Sequence, residues 1–269
     1  MKKLSLATAV LASVFTMGAN AYQYEGNASY EKSKFDAGVK FDTYAIGGKY
    51  YLNPVQAKSA PLAEAAFASN ASNVAAGFAR ADANVAGADN IDVYGVSGEF
   101  FIPNTQFYVS GALNQIKEAG DRTTGYAIEA GYLPINGLLV ALGVAKESLD
   151  PAFVAKNGLS STIGYATAVG EDTAATLRAK YLTQIGGFST NFEAQVAAGD
   201  ETAYKLGADL YLDPTLSVGA SFANSTVKGS DTVFGIRAQK FFTSQIAAGA
   251  NYTTTDGNNS FGLNGTYRF

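Results

Sequence analysis

From Phe261 to the last residue, Phe269, every second position is apolar, small or aromatic. Phe261, Leu263, Gly265, Tyr267 and Phe269 share one face, while Gly262, Asn264, Thr266 and Arg268 fall between them. A two-residue period places successive side chains on opposite sides of a strand, so this segment has one apolar face and one wet face. Its length is close to the ~9–11 residues that a tilted strand needs to cross a hydrocarbon layer. The terminal segment is therefore predicted to be a strand lying between lipid and water.

The same period runs back through the chain. Tyr22, Tyr24, Gly26, Ala28 and Tyr30 alternate with Gln23, Glu25, Asn27, Ser29 and Glu31, and Tyr44, Ile46, Gly48, Tyr50 and Leu52 stand opposite Lys49. A weaker, alanine-rich run follows at 73–81, then Tyr94, Val96, Gly98 and Phe100 with Glu99 opposed. Further runs occupy 107–113, 126–132 with Glu129 opposed, 138–144, 175–181 against Arg178 and Lys180, and 188–196 against Glu193. The last before the terminus are 204–210 against Lys205 and Asp209, 216–222, 234–238 against Arg237, and 246–252. The total is about fourteen strands, an even number, as a single-chain bacterial barrel with both ends in the periplasm requires. The expected fold is all-β: a transmembrane antiparallel up-and-down β-barrel. Its outward connections fall at 31–41, 82–89, 117–123, 147–172, 199–203, 226–231 and 254–259.

Two segments break the pattern. In 53–70, Pro61 at a first turn followed by Leu62, Ala65, Ala66 and Phe67 predicts a short periplasmic helix. After Glu147 the alternation fades, leaving a faint trace at Leu159, Ile163 and Tyr165. Being long and partly apolar, 149–172 is a candidate to fold into the bore, with a surface-packed loop or small hairpin as the alternative.

At the other end, Lys2 and Lys3, a largely apolar run over 4–15, and small Ala19 and Ala21 around Asn20 read as a secretory signal. Residues 1–21 are assigned to it and 22–269 to the barrel. No later stretch has the ~18–20 consecutive apolar residues of a membrane-spanning helix. The net charge of −4 becomes −6 without the two leader lysines, which argues against a nucleic-acid partner. The chain has no cysteine and no histidine, so disulfides, thiolate metal sites and histidine-centred hydrolytic triads are excluded. No enzymatic activity, cofactor or metal site is expected. Asp36, Asp42, Asp89, Asp92 and Asp121 near outward connections lack the ligand spacing of a calcium loop.

The positions opposite the apolar ones carry Glu25, Lys49, Glu99, Glu129, Arg178, Lys180, Glu193, Lys205, Asp209, Arg237 and Arg268. Facing lipid, each Arg or Lys would cost roughly 2–4 kcal/mol at the bilayer midplane. They are therefore predicted to line the lumen. Two arrangements fit: mutually paired charges filling a narrow barrel, or charges lining a polar pore. Small residues on the same face, among them Gly47, Ala141, Gly143, Gly219, Gly235, Ala247, Gly249 and Gly262, are read as leaving space there, either open or filled by an inserted loop.

Six pieces run in order across nearly the whole chain: MKKLSLATAVL, AYQYEG, PLAEAAFASNASNVAAGF, YAIEAGYLPINGLLVALGVA, YKLGADLYLDPTLSVGASFANS and GLNGTYRF. They resemble the porin family of gammaproteobacterial outer membranes that includes the Acinetobacter water-channel porin linked to carbapenem permeability. PLAEAAF followed by SNV, and LYLDPTLSVGASFA, are the most specific parts. The resemblance implies a fourteen-stranded monomer that passes water and small polar solutes poorly, or in a gated manner, because internal segments obstruct its lumen. It also implies that Tyr267 and Phe269 form the aromatic terminal signal read by the barrel-assembly machinery. The expected protein is thus a passive channel of the cell outer membrane, surrounded by lipid and lipopolysaccharide, with weak selectivity set by lumen charges. The alternative is a non-conducting barrel whose outward loops bind host or partner surfaces. The segments 61–67 and 149–172 are the candidates for closing the bore, and deleting 150–168 is expected to raise conductance.

Overall fold

The alternation becomes fourteen antiparallel strands in the computed structural model, which describes residues 21–35, 38–56, 60–146, 156–157 and 173–269. In chain order they are β1 (Ala21–Lys34), β2 (Lys40–Gln56), β3 (Asn73–Ala83), β4 (Ile91–Phe101), β5 (Phe107–Glu118), β6 (Asp121–Ile135) and β7 (Leu138–Lys146). After these come β8 (Ala174–Ile185), β9 (Phe188–Ala198), β10 (Thr202–Asp213), β11 (Leu216–Ser225), β12 (Val233–Phe241), β13 (Ile246–Thr254) and β14 (Asn259–Arg268). Each strand pairs with its sequence neighbours and β1 pairs with β14, so the sheet closes. Closure satisfies edge N–H and C=O groups that a bilayer could not hydrate. The expected leader lies, up to residue 20, outside the described residues.

The seam is finished by the last residue. Phe269 N donates to Tyr24 O at 2.9 Å, and Gln23 N and Tyr24 N donate to Phe269 O at 2.9 and 2.8 Å. The Phe269 ring stacks on Tyr24 with centroids 5.1 Å apart.

Outward positions form one apolar band. Ile46, Ile128, Leu142 and Ile236 are each more than 60% exposed, and no second layer covers them among the described residues. A water-soluble protein seldom leaves so large a continuous apolar surface; a hydrocarbon layer covers it. Aromatic pairs border the band at both ends: Tyr24 with Tyr50 and Phe107 with Tyr132 on one side, Tyr30 with Tyr44 and Phe222 with Phe234 on the other. Such girdles belong at the two membrane interfaces.

At the end that holds the chain termini the strands join through short turns, except between β2 and β3, where the helical segment after Pro61 intervenes. Gly186 and Gly187, both with positive φ, form one of them, a two-residue connection that matches the twist of its hairpin. The connections after β3, β7 and β11 at the opposite end are longer, the arrangement of a barrel whose termini are on the periplasmic side. One expected outward loop is much shorter than predicted. Instead of 117–123, only Ala119 and Gly120, both at positive φ, separate β5 from β6.

Two further expectations change. The first strand does not alternate strictly, because a bulge between Tyr22 and Tyr24 shifts the register. An extra residue reverses facing, so Tyr24 points out while Tyr22 packs with Tyr51, Val55 and Ala65. The helix after Pro61, a 3-10 turn Leu62–Glu64 running into Ala65–Ala68, forms at the periplasmic end as expected. Its contacts, however, are with the barrel interior.

Candidate functional site in the lumen

Inward side chains are linked into a belt around the bore. Arg178 on β8 donates to Glu129 Oε2 on β6, from Nε at 3.1 Å and Nη2 at 2.9 Å. Its Nη2 also reaches the Tyr108 hydroxyl at 2.8 Å, and that hydroxyl donates to Glu99 Oε1 at 2.8 Å. Asn73 Nδ2 donates to Glu99 Oε2 at 3.1 Å. Further round, Lys180 Nζ lies 2.9 Å from Glu193 and 2.8 Å from Glu64. Asn191 Nδ2 spans Glu193 and Asp209, and Arg237 holds Asp209 through two bonds of 2.7 Å. Charge-assisted and bidentate bonds of this kind are the strong ones. The belt therefore fixes side chains on β3 to β12 relative to one another.

Several pairs cross an intervening strand, and glycine makes the crossing possible. Gly219 is the register partner of both Asp209 and Arg237. A Cβ there would collide with Asp209 Oδ1 and lie 3.1 Å from Arg237 Nε. Gly262 sits likewise between Glu31 and Asn251, whose Nδ2 donates to Glu31 Oε2 at 3.1 Å. At Gly143, between the strands of Glu129 and Arg178, a Cβ would meet the Ile128 carbonyl and the Glu129 side chain. The sequence reading took these glycines as free space. They are instead saddles over which neighbouring side chains lie, so their contribution is to the belt and not to the width of the bore.

At the periplasmic mouth, segment 61–68 is tied to walls all round. Leu62 N donates to Pro214 O at 2.8 Å, and Arg268 Nη1 donates to Leu62 O at 2.7 Å. Glu64 receives Lys180 on one oxygen and the Tyr211 hydroxyl, at 2.8 Å, on the other. Phe67 packs against Phe101, Tyr108, Leu133 and Leu139. Beside the segment lies a cavity of about 310 Å³, touched by Glu64 and Phe67 and bordered by Lys49, Lys205 and Asn264.

Arg268 and Glu25 complete the mouth. Arg268 Nε donates to Glu25 Oε2 at 2.7 Å, both side chains being essentially without solvent contact. The guanidinium lies between the rings of Tyr22, 4.5 Å away, and Phe241, at 4.6 Å. The bulge in β1 thus has a visible consequence: it supplies a ring to cover this cation. Lys156, from the 147–172 connection, comes to 4.0 Å from Glu25 Oε1, and burial pushes its ammonium below the ordinary lysine pKa. Apart from Lys156 and Asn157, the expected plug at 149–172 lies outside the described residues.

Of the residues singled out from the sequence, Glu25 meets Arg268, Glu99 and Glu129 meet Arg178, Glu193 meets Lys180, and Asp209 meets Arg237. Lys49, the cross-strand neighbour of Glu25, and Lys205 border the cavity. Tyr267 stands beside Phe269, ring centroids 5.6 Å apart, at the seam. Sequence reasoning missed Glu64, Tyr22, Tyr108 and Tyr211; it set Asn191 opposite the apolar positions without giving it a role. Parity would have found two of the four, because Tyr108 and Tyr211 alternate with residues read as outward, such as Phe107 and Leu210. No periodic signal marks Glu64 or the inward turn of Tyr22.

The chain matches, over residues 1–269, the family model described as "Putative general bacterial porin". Among solved structures it is similar to the Acinetobacter baumannii outer membrane protein Omp33, at 30% identity and a TM-score of 0.73, covering 94% of this chain and 100% of that one. It also shares its fold with a bacterial polysaccharide outer membrane secretin, at 11% identity and a TM-score of 0.51, covering 94% of this chain and 100% of the other. No curated protein sequence matches it.

Proposed function

The chain belongs to the general bacterial porin family, and from that membership we propose a passive outer-membrane channel for water and small polar solutes whose periplasmic mouth is narrowed by segment 61–68. The observation that carries this reading is the double hold on Glu64 by Lys180 and Tyr211, with Arg268 on the carbonyl of Leu62. These holds come from different strands, so the segment spans the mouth instead of lying along one wall. The cavity beside it is bordered by cations and carboxylates of both signs, Lys49, Lys180 and Lys205 with Glu99, Glu193 and Asp209. A mixed lining of this kind favours hydrated polar solutes and gives weak charge selectivity through its field.

The test is conductance in planar bilayers. Replacing 61–68 by a glycine-serine linker is expected to raise the single-channel conductance, and Glu64→Gln, which weakens the hold without removing the segment, to increase the time spent open. Unchanged conductance and open time in both variants would remove the segment as the constriction.

A further inference from the structure

Beside β4 to β8, segment 61–68 has a cavity on each of its two faces. On the lumen side is the 310 Å³ cavity, bordered by Glu64, Ala66 and Phe67; on the other side a groove of about 840 Å³ opens among the periplasmic turns, bordered by Pro61, Ala68 and Asn70. The barrel wall changes in step. Along β4 it passes from Glu99 beside the lumen cavity, through Phe101, which borders both, to Pro103 beside the groove; along β8 it passes from Lys180 to Leu182.

Apolar side chains stand between the two spaces. Tyr108, Leu133 and Leu139 form a buried cluster against which Phe67 and Phe101 pack. Phe101 meets Tyr108 with ring centroids 5.0 Å apart and Phe67 at 6.4 Å. Gly131 on β6 lets the wall close up, since a Cβ there would lie 2.9 Å from Leu139 Cδ1 and 3.0 Å from Tyr108 Cδ1. The Tyr108 hydroxyl is the one polar side-chain atom of the five residues, and it is taken up by Glu99 and Arg178. Two cations of the belt lie over the rings: Lys180 Nζ is 4.9 Å from the centre of Phe67, and Arg178 Cζ is 5.5 Å from that of Tyr108. Both are also paired with belt carboxylates.

Phe67 lies between the two anchored ends of its segment. Leu62 and Glu64 are held at one end. At the other, Leu52 N donates to Ser72 O at 2.9 Å and Phe101 N donates to Ser72 Oγ at 3.0 Å. The Phe67 side chain is half-buried, so turning it aside releases neither anchor.

An ion entering such a ring of side chains gives up hydration that nothing there replaces, whereas an uncharged polar molecule gives up far less. Apolar constrictions also shed their own water, which blocks ions further. We propose that Phe67 is the specificity-determining residue of the channel: with Phe101, Tyr108, Leu133 and Leu139 it forms an apolar collar that turns back ions of either sign and admits small uncharged molecules. The collar presupposes the conducting channel proposed above and adds to it the class of solute admitted. Lumen charges act on the sign of a solute; the collar acts on whether it is charged at all.

The experiment uses the full barrel, folded and reconstituted, with two readouts: single-channel conductance in potassium chloride across planar bilayers, and swelling of liposomes in isotonic erythritol above the protein-free rate. Phe67→Ser is expected to raise conductance at least about five-fold and erythritol swelling by less than about two-fold. Leu133→Asn, which adds polarity at nearly constant size, is expected to shift the two readouts in the same way. Phe67→Leu, which keeps the collar apolar, should hold their ratio within about two-fold of wild type. Gel mobility with and without heating verifies folding, and Phe67→Ser, on a segment outside the barrel wall, serves if Leu133→Asn does not fold. Conductance within about two-fold of wild type in both polar variants would overturn the collar; a rise in the glycine-serine linker variant alone would leave the constriction by 61–68 standing. A rise of both readouts in equal proportion would overturn the charge exclusion, since size alone would then set passage. Absence of conductance and swelling in every variant, the linker included, would overturn the channel and the collar together.

Discussion

Arg268 shows how much one side chain can settle. Its guanidinium has no water to fall back on, so its environment must supply every partner: the Glu25 carboxylate, the Leu62 carbonyl, and the faces of Tyr22 and Phe241. Breaking a buried pair by removing one member leaves an uncompensated charge and typically costs about 3–5 kcal/mol. Arg268→Met is therefore expected to destabilise the barrel by about that much in urea unfolding from micelles, since Lys156 stands farther from Glu25, at 4.0 Å. Adding Glu25→Gln should recover part of the loss, because both charges of the pair are then gone while Lys156 loses its carboxylate. A double variant as unstable as the single would show that packing, not pairing, is the source. That Arg268 and Glu25 face inward was legible from parity. That they face each other, with a tyrosine turned in to cover them, was not, because tyrosine suits a girdle and an interior equally well.

At the scale of elements, the seam between β1 and β14 carries the closure. The main chain of Phe269 contributes three hydrogen bonds to it, and its ring stacks on Tyr24. The ring contact is worth about 0.5–1.5 kcal/mol beyond burial, and Phe269 with Tyr267 is also our proposed recognition mark for the assembly machinery. Phe269→Ala is expected to lower the heat-resistant folded fraction on gels and to slow the appearance of folded barrel in outer membranes. Phe242→Ala, on an exposed ring in the turn after β12, should do neither; equal defects in both would deny the terminal residue a special role. The strands were readable because alternation belongs to each segment alone. The helical segment was readable as a helix after Pro61, but its course into the mouth was not. Glu64 finds Lys180 and Tyr211 only once distant strands surround it.

For the whole molecule, the proposed function makes the belt and the mouth segment limit how much of the bore is open. Liposomes carrying the barrel are expected to swell in isotonic glycine, and more slowly in a disaccharide, relative to protein-free vesicles. Swelling no faster than the protein-free control in every solute would favour the rival reading, a barrel whose outward loops bind a partner surface. The two readings share the same outer wall, so only transport separates them.

By itself the sequence determined a closed cylinder with an apolar outside and a charged inside, because the two-residue period sorts every strand's side chains before any partner is present. The tertiary structure alone decided which charges meet and that the glycines between them serve as saddles. Some of those pairs run across a third strand, as at Asp209, Gly219 and Arg237. Their alignment depends on the stagger that ring closure imposes on all strands at once.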